Sequence, residues 1–127
     1  MYLPCVFNGT LNNPIKVSQS NVFQIESEIP WQDLGAGVQR QLFGYDDKIM
    51  LVKVKFEVGA IGQLHEHMHS QASFVESGVF ELTIGDEKKT LKAGDGYYAP
   101  PHVIHGALCL EAGVLIDTFS PMRQDFL

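Results

Sequence analysis

The stretch KIMLVKVKFE, residues 48–57, decides the fold class. Met50, Val52, Val54 and Phe56 occupy alternate positions, with Lys53, Lys55 and Glu57 filling the other set. Successive side chains of an extended chain point to opposite faces, so this is a strand with one apolar, buried face and one charged, wet face. Toward the C-terminus the theme recurs in SFVESGVFELTIGDEKKTLKAGD, residues 73–95, where Phe80, Leu82 and Ile84 lead into a Gly85–Asp86 turn. Gly94 and Gly96 mark another bend, and Ala107–Leu110 with Val114–Phe119 read as a hairpin turning at Glu111, Ala112 and Gly113. No window of useful length shows the 3.6-residue period of an amphipathic helix. Short strands at regular spacing, closed by glycine and proline turns, predict an all-β fold, an antiparallel β-barrel or jelly roll. Toward the N-terminus, residues 1–20 are polar and irregular and read as a tail or peripheral strand, which leaves 21–127 as a single domain.

Composition narrows the function classes. A chain of 127 residues with a hydrophobic fraction of 45% can bury one real core and is not disordered. Its net charge of −6 and the lack of a basic stripe argue against nucleic acid as a partner. No apolar run approaches a membrane span, and MYLPCVFNGTLNNP lacks the basic and apolar regions of a signal peptide. Cys5 and Cys109, far apart, suggest no disulfide framework and read as free thiols in a reducing cytoplasm.

The chemistry concentrates in GQLHEHMHSQ, residues 62–71. Of five histidines, His65, His67 and His69 fall here at alternate positions, and His102 and His105 sit together later. Alternate side chains of a strand share a face about 6.5–7 Å apart, so His65 and His67 can turn inward toward one ion. Gln71 is a further even step along, and the hairpin at 80–92 gives the chain room to bring His105 back from a distant strand. Three imidazoles and one amide oxygen chelate one divalent transition metal, with nickel, cobalt, iron, manganese and zinc all compatible. The bland alternative is a hydrogen-bonded or tag-like histidine cluster. Glu66 falls on the opposite face and Glu76 is an odd step from Gln71, so neither replaces a carboxylate ligand.

The spacing of these residues resembles two known motifs. Gly59, His65-Glu66-His67, Gln71 and Gly78 resemble the first cupin motif, and Gly94, Pro100 and His105 resemble the second. The resemblance implies the cupin-type barrel, also described as a double-stranded β-helix. Two positions depart from the pattern: Gln71 stands where most cupins carry glutamate, and His102 stands where the second motif usually has glycine. A wholly neutral donor set leaves the ion its full double charge, which strengthens it as a Lewis acid and as an attractor of anions. In cupins the position of His69 begins a bend, which makes it a pocket-wall, substrate-contacting residue or an idle surface one.

The last strand adds a polar residue to an apolar face. In GVLIDTFSPMRQDFL, residues 113–127, Leu115, Asp117 and Phe119 share one side. A buried aspartate is costly unless paired or useful; either a partner such as Arg123 holds it, or it serves a site. The span from Trp31 to Leu127, through WQDLGAGV, AGDGYYAPPHVIHG and the ending DTFSPMRQDF, is similar to the small cupins of the KdgF, or pectin degradation protein, family. That resemblance implies an isomerase-type enzyme turning 4,5-unsaturated monouronates from pectin or alginate into linear 4-deoxy-5-keto uronates. It implies His65, His67, Gln71 and His105 as metal ligands, and Asp117, Phe119 and Arg123 as catalytic and pocket residues. In that chemistry Asp117 is the acid–base group, Arg123 a forked donor for the substrate carboxylate, and Phe119 a packing group that excludes water; Tyr97 lines the pocket. The implied partner is a small anionic sugar, and the edges of an open barrel point to a homodimer. Two other classes compete: a metal-dependent dioxygenase, and a non-catalytic module that binds sugar or metal.

Overall fold

Two strands are long enough to belong to both layers of the molecule, and they organise the rest. The computed structural model describes residues 18–127. Its strands are β1 (Gln32–Gly35), β2 (Val38–Asp46), β3 (Ile49–Phe56), β4 (Ile61–His65), β5 (Ser70–Ile84), β6 (Glu87–Lys92), β7 (Gly96–Ala99) and β8 (His105–Ser120), with short 3-10 turns at Glu26–Glu28 and Gln124–Phe126. Every pairing is antiparallel. The first half of β5 pairs with β7 and its second half with β6, while β8 pairs first with β4 and then with β3. Because β5 and β8 also pair with each other along their length, one sheet bends into two layers. This is the jelly roll, open at its outer edges.

The bend corrects one expectation. Glu111, Ala112 and Gly113 do not turn a hairpin; β8 runs straight through them. The glycines there serve a close crossing instead. A Cβ on Gly78, whose φ is +83°, would lie 2.6 Å from the Glu111 carbonyl oxygen, and a Cβ on Gly113 would collide with the Ser77 carbonyl. Glycine marked where two backbones touch, a signal that sequence alone does not separate from a reversal.

The deciding strand is where the alternation put it. In β3, Met50, Val52 and Phe56 are buried while Lys55 is exposed. Phe56, Val75, Phe80, Leu82, Cys109 and Leu115 form one core cluster, and Met50, Val52, Phe119 and Met122 form a second. Fully burying each such side chain contributes roughly 1.5–3 kcal/mol. The Gly85–Asp86 turn also stands, with Ile84 paired to Glu87 across it. Cys109 is a buried free thiol. Residues 1–17, including Cys5 and most of the expected N-terminal tail, lie outside the described residues. From Ser20, whose amide donates to the Tyr45 carbonyl at 2.9 Å, the chain runs over the outside of β2. There Gln41, almost fully buried, donates to the carbonyls of Ile29 and Glu26 at 2.9 and 3.2 Å. No helix among the described residues is long and apolar enough to cross a membrane.

Candidate metal centre and its pocket

Three imidazoles meet where the two layers open. β4 ends at His65 and the chain bends over residues 66–69, so His67 lies past the strand rather than within it. Its ring nevertheless turns to the same point. His65 and His105 are cross-strand partners, and their ring centroids lie 4.4 Å apart, with His67 and His105 at 4.8 Å. One nitrogen from each of the three rings falls within 4.8 Å of the others. Gln71, buried in β5, brings its Oε1 to 2.9 Å from His67 Nε2 and 3.1 Å from His105 Nε2.

The surrounding hydrogen bonds decide which atoms carry protons. Each ring offers its Nδ1 to a backbone carbonyl two residues away: His65 to Gln63 at 2.7 Å, His67 to His69 at 3.0 Å, and His105 to Val103 at 2.9 Å. Burial holds His67 and His105 below the ordinary imidazole pKa, so both rings stay neutral with the proton on Nδ1. Their Nε2 atoms then present bare lone pairs. Gln71 presents another, because its Nε2 is committed as a donor to Ser73 Oγ at 3.0 Å, and the Ser73 hydroxyl donates onward to Asp117 Oδ1 at 2.6 Å. Lone pairs converging at about 3 Å repel unless a cation lies between them. Ligands about 2.1 Å from one ion and at right angles are also about 3 Å apart. The donor set therefore fits a divalent metal held by His65, His67, His105 and Gln71.

A cavity of about 280 Å³ opens beside this cluster, lined by His65, Gln71, His105, Tyr97, Asp117, Phe119 and Arg123 among others. Of the residues read from the last strand and tail, the structure thus brings Asp117, Phe119 and Arg123 to one place. Asp117 is buried, and burial pushes its carboxyl up to about 6 against the opposing pull of the Ser73 hydrogen bond and the Arg123 charge. Phe119 is buried edge-on to His67, with centroids 5.8 Å apart. Tyr97 turns inward, its hydroxyl 3.4 Å from Gln71 Nε2, while Tyr98 is exposed. Burial and the Asp117 charge raise the Tyr97 hydroxyl far above its usual range, so it remains a neutral phenol.

His69 and Arg123 behave differently from their sequence reading. His69 does not line this cavity; its Nε2 donates to the Met122 carbonyl at 3.2 Å, behind Phe119, where the bend at 66–69 carries it. Arg123 does not hold Asp117. Its fork closes on Asp125, Nε to Oδ1 at 3.0 Å and Nη2 to Oδ2 at 2.8 Å, because the tail turns back at Gln124–Phe126. His102 occupies the glycine position of the motif with a φ of +65°, in the left-handed region, and its ring lies on the surface 3.6 Å from Glu66.

Sequence reasoning missed Ser73, Arg40 and Phe126. Ser73 had a findable signal, an even step beyond Gln71 in the same strand. Arg40 sits between Val38 and Leu42 on the alternating inward set of β2, a strand too polar to stand out by pattern. Phe126 lies in the quoted tail but reads from sequence as one more apolar residue.

The cupin domain family matches residues 52–117. The pectin degradation protein KdgF of Dickeya dadantii is 49% identical over 105 residues, covering 81% of this chain and 96% of that protein. An RmlC-like cupin from Shewanella frigidimarina superposes with a TM-score of 0.84 at 45% identity, covering 86% of this chain and 98% of that one. The KdgF structure from a Halomonas species gives 0.81 at 42% identity, covering 85% of this chain and all of that one.

Proposed function

The chain belongs to the KdgF-type cupins, and on that premise we propose that it is a metal-dependent isomerase of uronate breakdown. Its substrate is a 4,5-unsaturated monouronate derived from pectin or alginate, its product the linear 4-deoxy-5-keto uronate. The observation that carries this reading is a buried carboxyl, Asp117, sharing one small cavity with His65, Gln71 and His105, three of the four converging ligand side chains.

The reaction moves protons and breaks one bond without oxidant or water. The hemiacetal loses its C1 hydroxyl proton, the bond from C1 to the ring oxygen breaks, and the freed oxygen takes a proton to become an enol at C5. A proton then adds at C4 while the enol hydroxyl gives one up, leaving a ketone. When bound, a divalent ion supplies Lewis-acid stabilisation of negative charge developing on the sugar oxygens. The chain's own residues do the rest. Asp117, its carboxyl pushed up to about 6 by burial, exchanges protons with the sugar. Ser73 ties Asp117 to Gln71, so the acid–base group and a metal ligand keep one relative position. Phe119 closes the apolar wall against water. Arg123, its guanidinium carbon 5.1 Å from the Phe119 ring centroid, packs against that wall.

The test is purified protein with an unsaturated monouronate, following the ultraviolet absorbance of its double bond. Loss faster than in buffer, abolished by chelator and restored by a divalent transition ion, is expected. No acceleration with metal-loaded protein refutes the enzyme, and oxygen uptake during turnover replaces it with a dioxygenase.

A further inference from the structure

We infer that Arg40 anchors the carboxylate of the sugar in this pocket, an inference that rests on the uronate reading above. Two arginines line the cavity, Arg40 and Arg123. Their charges are not equally available. Arg123 is bound through two parallel hydrogen bonds to Asp125, at 3.0 and 2.8 Å, and its side chain is only 13% exposed. A forked, partly buried pair of this kind is among the stronger polar contacts in proteins, and one edge of the fork is spent on it. Together Arg123 and Asp125 contribute little net charge.

Arg40 is placed otherwise. It alternates with Val38 and Leu42, both of which pack against the core clusters, and it pairs across the sheet with Val54. Its Nε donates to the neutral Gln32 amide oxygen at 2.8 Å. Among the described residues no carboxylate bonds to it, and its two terminal nitrogens have no hydrogen-bond acceptor. Asp125, the acid whose charge reaches it, has both oxygens engaged by Arg123. The Arg40 guanidinium lies over the Phe126 ring, its carbon 3.8 Å from the ring centroid. Stacking fixes the plane of the guanidinium and leaves its in-plane N–H groups available, the arrangement suited to taking a carboxylate in bidentate fashion. A guanidinium on an inward strand position with no carboxylate bonded to it is costly, and a bound carboxylate lowers that cost.

The experiment measures binding separately from turnover. Metal-loaded protein is titrated calorimetrically with galacturonate, a saturated uronate, and with its neutral methyl ester. Arg40→Met, which keeps the stem over Phe126 but removes the charge, is expected to bind galacturonate about 10–100-fold more weakly, as for loss of a charge-assisted hydrogen-bonded pair. The ester should bind both proteins alike. Arg40→Lys, a variant that keeps the charge should Arg40→Met melt early, is expected to lose a smaller factor. Unchanged galacturonate binding in these variants, equal losses for acid and ester, or no carboxylate-dependent binding by the unsubstituted protein each overturn the inference. Failure of the enzyme reading looks different: galacturonate binds through Arg40 but the unsaturated uronate is not turned over. Conversely, turnover with an unchanged KM in Arg40→Met removes the anchor and leaves the isomerase standing.

Discussion

The two ends of the pocket are built on different principles. At the imidazole end each ring is fixed locally, by a carbonyl two residues away along its own chain. At the arginine end only the Arg123–Asp125 pair is local. Arg40 comes from β2, and Arg123 and Phe126 come from the C-terminal tail. They are held by stacking, with the two guanidinium carbons 3.8 and 4.3 Å from the Phe126 ring centroid. Local fixing makes the metal end stiff and insensitive to the tail. Assembly from distant elements makes the arginine end depend on the fold as a whole, and a change of tail residues can retune it without disturbing the ligands.

Substitutions can break this contrast or sharpen it. The largest effect is expected at the imidazole end. His105→Ala should strip the protein of stoichiometric metal, a loss well beyond the roughly 10–100-fold that removing a ligand's supporting partner costs; elemental analysis after gel filtration reads it. Asp117→Asn should keep full metal content and lose turnover by about a hundredfold or more, as acid–base groups do. Metal loss in that variant would show the two ends of the Asp117–Ser73–Gln71 chain to be one unit. Phe126→Ala should leave metal content untouched and raise KM for the uronate several-fold, since it removes a stacking surface worth about 0.5–2 kcal/mol to each arginine. A fall in metal occupancy there would erase the distinction between the ends. The smallest effect belongs to His102→Gly. Relieving a left-handed, non-glycine residue should raise stability by about 0.5–1 kcal/mol, read as a shift of the denaturation midpoint at constant slope, with turnover unchanged.

The same contrast explains what the sequence made legible. Alternating apolar residues in 48–57 and the glycine-bounded strands after them express a period-two rule written into neighbouring residues, so the all-β fold could be read. The ligands could be read because histidines are few and their spacing is itself the local device that aims them. Gly113 reads from sequence as a turn because glycine serves both reversal and close approach, and only the partner strand, at Gly78, tells them apart. Arg40 was invisible for a related reason. Its meaning comes from Phe126, far away in sequence, and from the Asp125 that occupies Arg123, and nothing in the sequence around Arg40 marks either relation. The left-handed backbone at His102, by contrast, was foreshadowed by its place in a motif where glycine is usual.

The most direct measurement is an anomalous-difference map from crystals of the protein grown with nickel or cobalt. A single strong peak is expected inside the cavity, about 2.0–2.2 Å from the Nε2 atoms of His65, His67 and His105 and from Gln71 Oε1. A peak elsewhere, or rings turned so that their Nδ1 atoms face the centre, would contradict the metal site and the proposed chemistry with it.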